Sequence, residues 1–259
     1  MEAFYTAPIT KIKGKERLTT DDTLIREIAL EIVVNGEKIA TLMATPVDQK
    51  VLAVGYLMSE GILESLGDVE EILLENDGMR IVMKAKIDRE RAERLNSEGI
   101  VSSGCGRGMS ATVTPETIEA KVIRSNYTLA ASLLLEEMGQ FYTECPLYEA
   151  TGCVHTAKLY LDETTAFIGE DIAQHNTIDK AVGKALFAGA DITKAFLMVS
   201  GRLSSEMVAK AVMHQIPIIA SRTASTCLGL QIAEKFGLTL AGFVRGDKMN
   251  IYKNPQRII

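Results

Sequence analysis

The chain has 259 residues, of which 47% are hydrophobic and 24% charged, and 28 Lys and Arg against 34 Asp and Glu give a formal net charge of -6. This length suits an α/β domain with a smaller attached lobe, and the acidic balance argues against nucleic acid or an anionic membrane as the main partner. No run approaches the about eighteen apolar residues of a membrane span, and the start lacks a signal-peptide core, so we expect a soluble, cytoplasmic protein.

The first half of the chain predicts hairpins and short helices. Two apolar runs flank Asn35-Gly36, a dipeptide that favours a type I′ hairpin turn, and a second hairpin is centred on Asn76-Asp77-Gly78. Between the two hairpins, helical periodicity extends from about Val47 to Ser59, with Gly61 as a stop. We assign residues 1–99, which end in a polar segment, to an N-terminal hairpin and helix lobe.

The second half, residues 100–259, predicts an α/β core. It starts with the polar loop "VSSGCGRGMS" and a short "TPETIEA" element that carries a Thr-Pro helix start signal, followed by the amphipathic helix "YTLAASLLLEEMGQFYTE". Two paired strands come next, "CVHTAKLYL" and "TTAFIGE", and beyond them helices alternate with strands to the end. Alternation with short junctions predicts a mostly parallel sheet with helices packed on it.

Cations follow three successive predicted strands, in the segments "VSGRLSSE", "ASRTAST" and "FVRGDK". Because ligands bind beyond the carboxyl ends of such strands, Arg202, Arg222, Arg245 and Lys248 are expected at one rim of the sheet. Two of these junctions also open helices, whose N-termini favour anions, and arginine binds phosphate with two hydrogen bonds. We interpret the cluster as a site for a phosphate-rich small molecule. The alternative is that these arginines are solvated loop residues paired with carboxylates.

A polar turn, "GEDIAQHNTIDKAVG", precedes the next helix and offers His175 as a candidate for contact with a base or sugar, or for proton transfer. The alternative is a helix cap formed by Asn176 or Thr177, and the spacing leaves both open. Zinc deaminase chemistry is excluded because His155 lacks the glutamate of His-x-Glu and no Pro-Cys-x-x-Cys follows. A P-loop is excluded because Ala185 follows Gly183-Lys184.

The four cysteines have no paired spacing, which indicates free thiols in a reducing cytosol and no structural metal site. Cys105 stands among glycines and serines in "SSGCGRG", two residues before Arg107. A nearby cation favours the thiolate, so this cysteine is a candidate nucleophile, with an unreactive exposed thiol as the alternative. The other three, Cys145, Cys153 and Cys227, are expected to be small buried hydrophobic residues.

From about Leu24 to Tyr252 the chain resembles the FdhD family, the sulfurtransferases needed to make active formate dehydrogenase. The matching segments are "GYLMSEGIL", "SSGCGRG", "TGCVHTAKL", "GEDIAQHNTIDKAVG", "SGRLSSEMVAKA" and "GFVRGDKMNIY". In that family a loop cysteine receives sulfur as a persulfide from a cysteine desulfurase. It passes the sulfur to a bis(molybdopterin guanine dinucleotide) molybdenum cofactor, bound transiently before insertion into formate dehydrogenase.

The resemblance implies specific site residues and a fold. Cys105 matches the persulfide-carrying position. Arg202 and Arg222 from the predicted rim and His175 from the polar turn, which the residue patterns suggested independently, are further candidates for the cofactor site. The resemblance also implies a cytidine-deaminase-like three-layer α/β/α fold with the smaller N-terminal lobe, a cytoplasmic location and a homodimer. The family's cofactor-binding segment maps onto Phe243, Val244, Arg245, Gly246, Asp247 and Lys248.

One departure matters, because family members usually carry Cys-x-x-Cys in the loop and here the second position is Gly108. A second thiol could release the sulfur as sulfide, so its loss leaves the transfer step open. The main rival is therefore a non-enzymatic chaperone that binds molybdenum cofactor or guanine nucleotide and delivers it to apo-formate dehydrogenase. A thiol hydrolase ranks lower because "GCGRG" is not a recognised nucleophile elbow.

Overall fold

The structure is a computed structural model that describes residues 2–97, 101–102, 113–162 and 164–259. It begins with a two-stranded antiparallel hairpin, β1 (Phe4–Lys13) and β2 (Glu16–Ile25), which we call the arm. Gly14 turns the chain at the tip with a φ of 63°. Most side chains of the arm are exposed, and its two strands pair only with each other.

A five-stranded sheet forms the N-terminal lobe. Its strands run in the order β5-β6-β3-β4-β7, and the bounds are β3 (Ile28–Val34), β4 (Glu37–Ala44), β5 (Val69–Glu75), β6 (Arg80–Ala85) and β7 (Val101–Ser102). Both predicted hairpins are confirmed, since β3 pairs with β4 and β5 with β6. Asn35 and Gly36 both have positive φ, 52° and 85°, as a type I′ turn requires.

Two helices accompany this sheet, α1 (Gln49–Ser59) and α2 (Arg89–Ser97). The first confirms the predicted helix and is followed by Gly61 with a φ of 69°. The second was expected only as a polar segment, because its charged sequence lacks a strong apolar stripe. It still buries Ala92 and Leu95 against the sheet's core.

A six-stranded sheet forms the centre of the second lobe, and its strands run in the order β13-β12-β11-β10-β8-β9. Its bounds are β8 (His155–Tyr160), β9 (Ala166–Asp171), β10 (Phe196–Val199), β11 (Ile218–Ser221), β12 (Thr239–Arg245) and β13 (Lys248–Lys253). Only β10, β11 and β12 are parallel neighbours, while the other three pairs are antiparallel. The expectation of a mostly parallel sheet is wrong, because β8–β9 and β12–β13 are hairpins added at the two sides.

Helices cover both faces of this sheet, which confirms the α/β class. The bounds are α3 (Ala131–Gly139), α4 (Pro146–Thr151), α5 (Gln174–Phe187), α6 (Ser205–Met213) and α7 (Cys227–Phe236). Along β10, Leu197 and Val199 pack with α5, α6 and α7, whereas Phe196 and Met198 pack with α3. This period of two is what a strand buried on both faces shows. The Thr-Pro start signal leads only to a turn at 115–117.

The two lobes meet where α1 crosses α5. Gly55 on α1 and Gly183 on α5 allow close approach, because a Cβ at either position would overlap the other helix's backbone at Asp179 or Val51. Beside the crossing, the buried Asp179 carboxylate accepts hydrogen bonds from Lys210 Nζ at 2.9 and 2.8 Å and from Ser59 Oγ at 2.6 Å. The lobes are therefore joined by backbone packing and by the hydrogen bond of Ser59 to a buried ion pair of the second lobe.

A second buried ion pair of the six-stranded-sheet lobe also holds a residue of the N-terminal lobe, Thr45. Lys180 Nζ lies 2.7 Å from Asp171 Oδ2 and donates to Thr45 Oγ1 at 2.6 Å. The same Asp171 oxygen accepts from the backbone and hydroxyl of Thr45. No helix within the described ranges is long and apolar enough to cross a membrane.

Candidate functional site

One edge of the six-stranded sheet gathers most of the predicted site, and we call it the rim. The parallel strands β10, β11 and β12 end there at Val199, Ser221 and Arg245, and β9 ends there at Asp171. Helices α5, α6 and α7 all begin there, so three helix N-termini face one edge, although Ser204 and Thr226 each cap one N–H of α6 and α7. The rim is thus an environment that favours an anion.

Hydrogen bonds tie the loops of the rim together. Ser200 Oγ accepts from the backbone N–H of Thr156 and lies 3.1 Å from His155 Nδ1. Gln174 at the start of α5 donates to the carbonyl of Arg202 at 2.9 Å. Ser221 Oγ donates to the Gly201 carbonyl at 2.6 Å. The loops after β9, β10 and β11 therefore hold one another in place.

The predicted cations do come together at the rim, and each is held differently. Arg222 is half-buried and donates from Nη1 to the carbonyl of Met138 on α3. Arg245 Nε donates to the Arg222 carbonyl at 2.7 Å, and Arg202 and Lys248 are exposed. Among the described residues, none of the four cations makes an ion pair with a carboxylate. The described residues therefore contradict the alternative, in which carboxylates neutralise the arginines.

His175 lies at the start of α5 and contacts Glu206 on α6, with Nε2 2.7 Å from Oε2. The hydrogen bond from His175 lowers the pKa of the Glu206 carboxyl. Neither Asn176 nor Thr177 caps the helix, because Ala173 is the cap residue and both lie inside the first turns. Asn176 instead donates to Asp171 and to the carbonyl of Met43 in the N-terminal lobe. The capping interpretation is wrong, and a role for His175 in binding stays a prediction.

The segment 243–248 forms the end of β12 and its turn into β13. Phe243 is exposed, with a left-handed φ of 51°, and the Arg245 guanidinium lies 5.9 Å from its ring centroid. Gly246 and Asp247 form the exposed turn. The Val244 side chain is fully buried in the core with α3, so Val244 can reach a ligand only through its backbone.

Cys105, with Arg107 and Gly108, lies outside the described residues, and its predicted role stays a prediction. The described residues on either side belong to different parts of the fold. Ser102 ends β7 at the edge of the five-stranded sheet, where it pairs with Leu42. Val113 is buried in the core between the six-stranded sheet and α5, α6 and α7. The chain between them therefore connects the two lobes.

The three remaining cysteines differ in exposure. Cys145 is buried as expected, and burial raises its pKa to about 11. Cys153 and Cys227 are exposed, so the expectation that they are buried is wrong. Both lie close to the rim in the chain, because Cys227 is the first residue of α7 and Cys153 precedes His155 by two residues. Apolar neighbours in the sequence suggested burial for both cysteines. Their exposure instead depends on where the helix or strand starts, which the neighbouring residues do not reveal.

A cavity of about 590 Å³ lies at the junction of the lobes, away from the rim. It is lined in part by Arg91 from α2 and by His214 at the opposite end of α6 from the rim. Burial lowers the pKa of His214 to about 4, and its Nε2 lies 2.9 Å from Ser59 Oγ. Sequence patterns offered no sign of this cavity, since its lining comes from five separate segments of the chain.

Nearly the whole chain is similar in sequence to proteins of one known family. The model of the FdhD/NarQ family matches residues 25–259. The chain is 41% identical over 247 residues to the sulfur carrier protein FdhD of Wolinella succinogenes, covering 95% of this chain and 86% of that protein. It is 29% identical to the protein of the same name from Geobacillus kaustophilus, covering 97% and 96% of the two chains.

A solved structure is similar to this chain in both fold and sequence. It is a crystal structure from Desulfotalea psychrophila, described as a candidate formate dehydrogenase accessory protein, with 26% sequence identity. The two chains superpose with a TM-score of 0.80 over 100% of each. The family model, the relatives and the fold agree, and this chain belongs to the FdhD/NarQ family.

Proposed function

We propose that this protein is a sulfur carrier that takes persulfide sulfur from a cysteine desulfurase and passes it to a bis(molybdopterin guanine dinucleotide) cofactor destined for formate dehydrogenase. The relative from Wolinella succinogenes is named a sulfur carrier protein, which supports the first part. The observation that carries the second part is the rim, where four cations without carboxylate partners among the described residues meet three helix N-termini. Such a rim suits a ligand with several phosphates.

Loading is a thiol exchange at Cys105. The Cys105 thiolate attacks the terminal sulfur of the donor persulfide, the donor's S–S bond breaks, and the donor cysteine leaves as a thiolate. A new S–S bond now joins Cys105 to the transferred sulfur, and no net oxidation occurs. Arg107, two residues along the chain, would stabilise the thiolate.

Delivery requires the acceptor to be held while the sulfur reaches it. Arg202, Arg245 and Lys248 would contact phosphates, and Arg222 would position the Arg245 side chain through its carbonyl. Release of the sulfur as sulfide needs two electrons, which a second thiol can supply as it forms a disulfide with Cys105. Since Gly108 replaces the usual second loop cysteine, an external thiol or the exposed Cys153 takes that part.

The loading step is tested by intact-protein mass spectrometry after incubation with a cysteine desulfurase and cysteine. Wild type should gain one sulfur, about 32 Da, and Cys105→Ser should gain none. Cys227→Ser is the matched control, because Cys227 is also exposed but has no assigned role, and it should gain the sulfur. A gain in Cys105→Ser, or none in wild type, overturns the proposal and favours a chaperone that only binds cofactor.

The rim is tested by calorimetric titration with guanosine diphosphate, which carries the nucleotide and phosphates of the acceptor. Arg202→Gln should weaken binding about tenfold, the equivalent of about 1.4 kcal/mol for one charge-assisted contact. Lys194→Gln is the matched control, because Lys194 is exposed at the other end of β10. Equal affinities of both variants and wild type would contradict a phosphate site at the rim. The predicted homodimer, transient docking on formate dehydrogenase and a cytoplasmic location complete the proposal.

A further inference from the structure

The cavity of about 590 Å³ at the junction of the lobes has no part in the proposed function. It lies at the C-terminal end of α6, whereas the rim lies at the N-terminal end of that helix. Its size is that of a small-molecule site, since such pockets span about 300–1,000 Å³. Residues between 58 and 91 line it from the N-terminal lobe, and residues 119–121, 192 and 213–215 line it from the core. A molecule in this cavity therefore contacts both lobes.

The inner part of the lining is mainly apolar. Ile62, Leu63 and Ile192 are buried there, and Met58 and Met213 are half-buried beside them. Methionine side chains adapt to the shape of what they contact. This part of the cavity suits the apolar body of a ligand rather than a charged group.

His214 supplies a polar atom at the inner end. Ser59 Oγ lies 2.6 Å from the Asp179 carboxylate, which only accepts, so the one hydroxyl proton of Ser59 is donated there. Ser59 Oγ, at 2.9 Å, must then accept from His214 Nε2, which places a proton on that nitrogen. Burial lowers the pKa of His214 to about 4, so the ring is neutral near neutral pH and Nδ1 carries no proton. Among the described residues, Nδ1 has no hydrogen-bond partner, and it is free to accept from a ligand.

Charged residues surround the open side of the cavity, and three of its four carboxylates are already engaged by neighbours. Glu119 pairs with Arg91 at 2.6 Å. Asp88 accepts from the backbone N–H of Arg91 at 3.1 Å and lies 3.5 Å from its side-chain Nε. Asp68 accepts from the Ser65 hydroxyl at 2.8 Å. These three carboxylates and Arg91 therefore offer little unpaired charge to a ligand.

Two lysines and one glutamate of the lining remain. Lys86 and Lys121 are exposed, and neither makes an ion pair with a carboxylate of the described residues. Glu64, also exposed, makes no ion pair with a described cation. Two cations against one carboxylate leave a net charge of +1 on the unpaired groups. The open side therefore favours an anion, although the whole chain has a net charge of -6.

We propose that this cavity binds a small organic anion, with its acid group at Lys86 and Lys121 and a hydroxyl or N–H group donating to His214 Nδ1. The apolar body of the ligand lies between these two ends, against the methionines and isoleucines of the lining. Lys86 belongs to the N-terminal lobe, whereas Lys121 and His214 belong to the core, so the ligand bridges the lobes. This inference does not depend on sulfur transfer.

Calorimetric titration near neutral pH tests the proposal with two probes of different length, para-hydroxybenzoate and para-hydroxyphenylpropionate. At least one should bind. The same acid without its hydroxyl group should bind about tenfold more weakly, because His214 Nδ1 then lacks a donor, and a tenfold loss equals about 1.4 kcal/mol. The methyl ester of the hydroxylated acid should also bind about tenfold more weakly, because it carries no charge for the lysines.

Variants locate the site. Lys86→Gln with Lys121→Gln should weaken binding of the hydroxylated acid about tenfold and leave binding of its methyl ester unchanged. His214→Phe keeps the shape of a ring but has no acceptor, so it should bind the acids with and without the hydroxyl group equally. Lys13→Gln with Lys50→Gln is the matched control, because it removes two exposed lysines outside the cavity lining and should bind as wild type does.

The lysine variant and the hydroxyl-free acids decide the question even if His214→Phe fails to fold. Binding of neither probe would overturn the proposal, as would equal affinity of wild type for the acids with and without the hydroxyl group. Unchanged affinity in the Lys86 and Lys121 variant would show that the anion binds elsewhere, for example at the rim. Equal weakening in the Lys13 and Lys50 control, or a hydroxyl preference that survives in a folded His214→Phe variant, would also refute the assigned contacts.

Discussion

Replacing Lys210 by methionine should lower the free energy of unfolding by about 3–5 kcal/mol, the cost of leaving a buried charge without its partner. Asp179 is 0% exposed and Lys210 is 2% exposed, so water cannot take over the lost contact. The two hydrogen bonds at 2.9 and 2.8 Å disappear, and only the Ser59 hydroxyl remains on the carboxylate. The cost is a large part of the about 5–15 kcal/mol that stabilises a typical domain.

A second substitution separates the unpaired charge from lost packing. Adding Asp179→Asn to Lys210→Met should restore more than half of the loss, because the amide is neutral and its oxygen can still accept from Ser59. Lys194→Met is the control, since its pair with Asp191 is mostly exposed and its loss should cost less than about 1 kcal/mol.

Urea unfolding followed by circular dichroism measures these differences, because the chain has no tryptophan to report by fluorescence. The reasoning would be refuted if Lys210→Met cost less than about 1 kcal/mol, the range of an exposed pair. It would also be refuted if the double variant were less stable than Lys210→Met alone, because removing the lone carboxylate charge would then bring no gain.

Three further predictions follow from the fold. Burial lowers the pKa of His214 to about 4. As pH falls from about 6.5, the unfolded chain therefore binds the proton before the folded chain does. The free energy of unfolding should drop by up to about 3 kcal/mol towards pH 4, relative to the His214→Gln variant. Parallel pH curves for the two proteins would contradict this. Gly183→Ala should cost about 1–3 kcal/mol by pushing α1 away, whereas Gly139→Ala, with open space around it, should be nearly neutral in urea unfolding. Because burial raises the pKa of Cys145 to about 11, peptide mapping after mild iodoacetamide treatment should find Cys153 alkylated first, and the reverse order would refute the assigned burial.

The rim shows how far sequence patterns reach. The cations Arg202, Arg222 and Arg245 could be assigned to one edge because strand and helix alternate, and successive strand ends then meet. The hydrogen-bond partners and burial of the individual arginines could not be predicted. The Arg222 bond to the Met138 carbonyl joins residues 84 positions apart in the chain. The exposure of Cys153 likewise depends on the turn that precedes β8, which no periodicity marks.

The arm shows where patterns fail. Residues 4–25 mix lysine, threonine and single apolar side chains on both faces, so no one-sided alternation predicts strands there. A strand without a buried face leaves little hydrophobic signal in its sequence. The short α4 escaped for a related reason, since 6 residues are too few for a helical period to repeat.

The sequence alone determined the local elements and the family, because turn dipeptides such as Asn35-Gly36, helical periods and ordered motifs act between near neighbours in the chain. Only the tertiary structure decided which charges are buried together. Asp179, Lys210 and Ser59 come from α5, α6 and α1, and their contact depends on how three helices pack rather than on their spacing. Contacts between residues so far apart in the chain are set by the packing of whole helix and sheet faces, which no short stretch of sequence specifies.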